Sequence, residues 1–336
     1  INSHVLTTLA NTAHSIYPNS TIPLANATTN IVHLILIVAR YVGPIGNLIF
    51  IISTAWFLID SKKVNFKKLF FIFLEVISIS YIILIIMIIF WKDISIISII
   101  KNLFPVTLSN NWYITCYLLF YPLHVVFNKI INYLGKRKHL RFCIISSILY
   151  LGICFLKNDL LFSSYLIWWT VIYFDVAYVK LYLKKYANNK KLNIFLVILP
   201  LMLNLVLVIF INLLGLRISF FSDKLIYFKY INNPLLFIAT FAIFNIFRNI
   251  HFKNKIINYV SSCSLLIYII HENLLLRLYC RAYMLNYIYE HYGYNKIILW
   301  IIILDIIIFL FALISSIIYK KLFEKSVRRI SEYLYY

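Results

Sequence analysis

Residues 192–214 read LNIFLVILPLMLNLVLVIFINLL, a stretch without one charged side chain. A helix needs about 20 consecutive apolar residues to cross the hydrocarbon core of a bilayer. This stretch is long enough, and it has neighbours of the same kind. Residues 69–90 carry one charge, Glu75, and residues 297–319 carry one, Asp305. Composition agrees. Of the 336 residues, 63% are hydrophobic and only 13% are charged, where soluble domains hold about 25% charged residues. Mean hydropathy is +0.88. No single soluble core absorbs so much apolar surface, which excludes soluble two-domain enzymes, disordered tails and fibrous proteins. With 6 Gly and 7 Pro, collagen-like chains and Gly-rich linkers are excluded too.

The expected fold is therefore all-α: a polytopic transmembrane helical bundle forming a single integral membrane domain over residues 1–336. Nine spans are expected at 45–59, 69–90, 112–131, 140–156, 162–179, 192–214, 235–247, 256–276 and 297–319. Residues 31–42 read as an additional apolar helix, lying along the interface or running into the first of these. Residues 1–10 read as the tail of a tenth span that comes first in the chain and is truncated here.

The loops test this map. The net charge is +21, with 32 Lys and Arg against 11 Asp and Glu. Segments 62–68, 129–141, 180–191, 248–255 and 320–329 alternate with the others and hold 22 of the 32 basic residues. The positive-inside rule places these segments in the cytosol. The C-terminus is then cytosolic, and residues 10–44 lie outside. The high charge is accounted for by topology and membrane lipid, so no nucleic acid partner is expected. The five Cys (116, 143, 154, 263 and 280) form no CxxC pair. Most fall in apolar runs and read as small buried hydrophobes.

An ionisable group at bilayer depth is costly unless it is paired or faces a cavity, so each is a site candidate. His139 and His251 are expected in cytosolic loops and His291 in an outer loop, all solvated. His14 and His33 fall in the outer segment. His4, His124 and His271 lie in or at the ends of apolar spans, as do Glu75, Asp175, Glu272 and Asp305. The topology brings His4, His271 and Glu272 to one depth near the outer surface. Successive helical residues point about 100° apart, so His271 and Glu272 are expected to face different directions, one catalytic and the other structural. The plainer reading of the pair is a helix end capped against interfacial water. His271-Glu272-Asn273-Leu274-Leu275 lacks the second His of HExxH, so no zinc or other metal is expected. P-loop, GxGxxG and GxSxG motifs are absent from the sequence.

Four segments in order carry a resemblance. They are 46–58 (GNLIFIISTAWFL) followed by a Lys-rich turn, 111–121 (NWYITCYLLFY) closed by Asn128 and Lys129, 173–182 with spaced Tyr and a Lys, and 257–277, which contains YIIHEN at 268–273 and ends on Arg277. The chain resembles the acyltransferase family 3 of multispan membrane proteins, which O-acetylate bacterial surface polysaccharides. Thr54 and Ala55 depart from the family's usual Ser-Gly, as do Val125 from a common Pro and Phe71 from a basic residue. His4 falls where the family has a His, eleven residues after an Arg that would precede residue 1.

The resemblance implies a multi-pass enzyme of the bacterial cell membrane that moves an acetyl group from cytosolic acetyl-CoA to a sugar hydroxyl of a polysaccharide or lipid-linked glycan. On that basis His4 is the expected general base or transient acyl carrier, because imidazole titrates near neutral pH. His271, Glu272 and Asn273 are expected to orient His4 or the sugar, with Arg277 beyond them. Trp56, Trp112 and Tyr117 are candidate walls for sugar or acyl group. Lys62, Lys63, Lys67 and Lys68 are candidates for attracting CoA phosphates. The alternative is a transporter or flippase of lipid-linked sugars, which would use the same basic inner face without covalent chemistry. Such proteins often show internal repeats and Gly- or Pro-broken helices, and no repeat is seen here.

Overall fold

The computed structural model describes residues 31–91, 93–108, 111–153, 165–222, 232–250 and 252–335. Among these residues every regular element is helical. The helices of eight or more residues are α1 (Ile31–Val42), α2 (Pro44–Leu58), α3 (Phe66–Phe90), α4 (Ile96–Leu103), α5 (Trp112–Ser147), α6 (Tyr165–Tyr182), α7 (Lys190–Gly215), α8 (Pro234–Arg248), α9 (Lys255–Ser262), α10 (Ser264–His271), α11 (Ala282–Tyr319) and α12 (Lys325–Tyr335). Short polar residues mark several starts. Asn65, Ser95, Asn189, Asn233 and Asn254 each accept a backbone N–H from the first turn of the helix that follows. This meets one of the donors that a helix start leaves unpaired.

Polarity along α7 is reversed relative to a soluble helix. Its outward face is apolar, with Phe195, Ile198, Met202, Val206 and Phe210 exposed. Its inward stripe holds Asn193, Asn204 and Asn212 together with Pro200 and Val208. Asn233 donates to Asn204 Oδ1 at 2.8 Å, and Asn245 donates to Asn193 Oδ1 at 3.3 Å. Hydrocarbon on the outside explains this arrangement. Lipid solvates the apolar face, while the amides find each other inside.

Five helices among the described residues are long and apolar enough to cross a membrane: Leu34–Leu58, Phe66–Phe90, Trp112–Gly152, Lys190–Gly215 and Lys296–Leu334. The chain is thus an all-α, multi-pass membrane protein with about five such helices, where ten spans were expected. The difference has local causes. The segment 1–10 lies outside the described residues. Span 112–131 and residues 140–147 of the next span fall in one element, interrupted at Gly135 (φ 61°, ψ 175°). Residues 165–179 of the span expected at 162–179 fall in α6, whose Trp, Tyr, Asp175 and Lys180 lower its apolar character. The span at 235–247 forms α8, only 15 residues long, or about 22 Å at about 1.5 Å per residue. The span at 256–276 breaks into α9 and α10, of eight residues each. The helix expected at 31–42 forms as α1 and runs on through Gly43 and Pro44 into α2.

The chain divides into two units, Ile1–Val64 with Leu119–His251, and Asn65–Leu118 with Phe252–Tyr336. In the first, α8 lies along α7 and against α2, and α2 lies against α6. Its core holds Trp169, Tyr173 and Phe120, with Phe120 5.2 Å from Tyr173 and 5.6 Å from Trp169 between ring centres. In the second, α10 is set against α11 and α3, and α12 lies on the start of α3. There the Arg328 guanidinium sits 4.7 Å over the Phe71 ring.

Candidate functional site

The helix at 264–271 ends because Glu272 and Asn273 leave helical geometry. Asn273 then restarts the chain. Its Oδ1 accepts the Leu275 N–H at 3.0 Å, and its Nδ2 donates to Asn102 Oδ1 at 3.0 Å. Asn102 in turn donates to the Ser80 carbonyl at 2.7 Å. The break is therefore tied to α3 and α4 by a buried amide chain. Beyond it, Leu276–Arg281 is a wider π turn, a form that often accompanies functional sites.

Around this break four ionic side chains converge. His271 Nδ1–H donates to the Ile267 carbonyl at 2.7 Å. Nε2 is left as the ring atom able to take or release a proton, and it lies 3.3 Å from Glu272 Oε1. The Glu272 carboxylate is buried, with Arg277 Nη1 at 3.5 Å and Arg281 Nη1 at 3.8 Å. Arg281 is 3% exposed. Its Nη2 donates to the His271 carbonyl at 2.5 Å, meeting the open end of α10. Burial pushes the Arg281 guanidinium down from its ordinary value, and the negative charge of Glu272 opposes that. Asp305 on α11 stands within electrostatic reach of both Arg281 and His271. On the other flank, the Tyr268 ring meets the Tyr113 ring edge-on at 5.5 Å and the His271 ring at 5.8 Å.

The structure thus brings His271, Glu272, Asn273 and Arg277 together. This overturns the expectation that His271 and Glu272 face apart. The 100° rule holds only within a helix, and the helix ends between them. Arg281 belongs to the cluster as well. Asp305 was already a candidate as an ionisable group in an apolar run, whereas Arg281 was not singled out. The available signal was spacing: Arg281 follows Arg277 by four residues, on the same helical face.

The other predicted residues are placed as follows. His4 lies outside the described residues. Trp112 and Tyr117 are half-buried at the start of α5. Trp56 is buried in the first unit, with Arg248 4.2 Å and Lys180 5.0 Å from its ring centre and Phe244 at 5.6 Å. Lys180 also pairs with Asp60 at 2.6 Å. Trp56 is therefore packed among cations and a ring, not presented as an open wall. Lys62, Lys63, Lys67 and Lys68 are exposed.

His139 corrects another expectation. It is fully buried, its Nε2 3.0 Å from the Phe174 carbonyl and its ring among Phe174, Tyr178 and Tyr182. The turn expected around it takes a single residue, Gly135, so His139 falls inside the second stretch of α5 against α6. His124 is buried as well, with Nδ1 bound to the Tyr121 carbonyl. Cys116, Cys143 and Cys263 are buried and free. Among the described residues no group of His, Cys, Asp and Glu is arranged to hold a metal ion. Comparison of the chain with models of known families, with curated proteins and with solved structures gave no match.

Proposed function

We propose that this chain is a membrane-bound O-acyltransferase. It moves an acetyl group from cytosolic acetyl-CoA to a sugar hydroxyl of a polysaccharide or lipid-linked glycan at the outer surface of a bacterial membrane. The single observation that supports the reading best is the imidazole of His271, its Nδ1–H held by the Ile267 carbonyl and its Nε2 beside a buried carboxylate that faces two guanidinium groups.

Acyl transfer to a hydroxyl asks for a proton acceptor that works near neutral pH. It also asks for donors toward the negative charge that develops on the acyl oxygen. His271 Nε2 supplies the first, and Arg277 is placed for the second. The hydroxyl oxygen bonds to the acyl carbon while the carbon–sulfur bond of the thioester breaks. The hydroxyl proton passes to Nε2 and then to the leaving thiolate. Glu272 steadies the ring while it holds that proton. The resemblance to acyltransferase family 3 adds His4 as a second imidazole, either the base itself or a carrier that takes the acyl group first. Lys62, Lys63, Lys67 and Lys68 fit a role in gathering CoA phosphates. A cytosolic C-terminus belongs to the same proposal.

The test uses membrane vesicles holding the full-length protein, given radiolabelled acetyl-CoA at the cytosolic face. Label is expected in polysaccharide. Labelling no higher than in vesicles without the protein would contradict the reading.

A further inference from the structure

A cavity of about 310 Å³ opens along α11 in the second unit. Sites for small molecules begin at about 300 Å³. Its floor holds Ile288 and Leu304, both buried, and its walls include Tyr283, Tyr287, Tyr292 and Trp300. Tyr283 and Tyr287 are exposed, so the cavity opens outward. Along a straight helix Tyr283 and Ile307 would lie about 36 Å apart, at about 1.5 Å per residue. Both line this one cavity, and the ring centres of Tyr292 and Trp300 come within 4.0 Å. The two parts of α11 therefore turn toward each other and hold the cavity between them. The second part begins the long apolar helix Lys296–Leu334, which is suited to crossing a bilayer.

The lining carries no charged side chain. Phosphates of CoA would find no cation there. A sugar by itself would leave hydroxyls unmet against Ile288 and Leu304, which is costly. A hydrocarbon chain fits this lining, and Tyr and Trp suit the level where lipid tails meet head groups. The placement narrows the choice of lipid. Arg281 has helical geometry at the start of α11. Arg281, Leu285 and Ile288 are all buried, and their spacing of four and three residues puts them on one helical face. The cavity floor thus lies on the same side as Arg281 of the His271 cluster, about 10 Å further along the axis. We propose that the cavity seats the hydrocarbon tail of a lipid-linked glycan, whose sugar extends toward His271. The role of that glycan as acetyl acceptor rests on the acyl-transfer reading; the tail site itself does not.

The experiment measures binding and transfer separately. Full-length protein reconstituted in phospholipid nanodiscs is titrated with farnesyl glucoside and with methyl glucoside, and the shift in its melting temperature is followed. Farnesyl glucoside is expected to stabilise wild type, and methyl glucoside is not. Ile303 also lines the cavity, and Ile303→Trp, which fills it, should weaken farnesyl glucoside binding tenfold or more. If Ile303→Trp does not fold, the smaller change Ile303→Phe should still weaken binding fivefold or more. Equal binding of farnesyl glucoside by wild type and the folded variant overturns the proposal. So does equal stabilisation by the two glucosides, since the tail then adds nothing. The absence of any farnesyl glucoside effect on wild type overturns it too, and leaves the cavity to bulk phospholipid. Radiolabelled acetyl-CoA is then added to the same samples. Binding that depends on Ile303 without acetyl transfer by wild type leaves the tail site standing and removes the acyltransferase reading. Transfer that is undiminished in the folded variant, with binding also unchanged, does the reverse.

Discussion

Arg281 meets two needs with one side chain, and this makes it a sensitive residue to change. One arm closes the end of α10 at the His271 carbonyl, and the other faces Glu272. Arg281→Ala is expected to destabilise the protein by about 1–3 kcal/mol, since a buried carbonyl loses its donor. A lowered melting temperature in detergent would show this, while an unchanged one would mean that water replaces the guanidinium. At this scale the sequence was only partly legible. YIIHEN and Arg277 stood out because ionisable groups are rare in apolar runs. Arg281 did not, because what joins it to His271 is a helix break that no periodicity announces. His139 was misread for a related reason: its neighbours Lys136, Arg137, Lys138 and Arg141 are those of a loop, and the loop is absent.

Among the elements, α5 depends on Gly135. Its φ of 61° and ψ of 175° lie in a region open almost only to glycine, and a side chain there costs about 1–3 kcal/mol. No atom stands within 4 Å of where a Cβ would sit, so the cost is conformational and not steric. Gly135→Ala should therefore lower thermal stability, and Gly135→Val should not be rescued by trimming any neighbour. Stability equal to wild type in Gly135→Ala would show that the kink is not required. The start of an element was easier to foresee than its interruption. The helical run of α1 into α2 was legible from its apolar residues. The division of 256–276 into α9 and α10 was not, because Cys263 and Glu272 carry no turn signal such as Gly or Pro.

Seen whole, the chain is organised by a reversal of polarity, with amides inside and aliphatic side chains outside, as α7 shows most directly. Membrane class was legible from the long uncharged runs, but the number of crossings was not. The long apolar α3 and α7 are suited to crossing a bilayer, whereas α6 carries polar side chains and α8 is only 15 residues long. The proposed orientation rests on the distribution of basic residues, and it is open to test. Exposed Lys185 and Lys296 replaced singly by Cys in an otherwise Cys-free chain are expected to react with impermeant maleimide on opposite sides, Lys185 at the cytosolic face and Lys296 at the outer one. Labelling of both from one side would overturn the orientation. The most direct measurement for the account as a whole is acetyl transfer in vesicles by wild type and by His271→Ala at matched protein levels. Loss of a general base typically costs about 100- to 10,000-fold, so transfer should fall by at least about 100-fold in the variant. Transfer at the wild-type rate from folded His271→Ala would contradict the central claim.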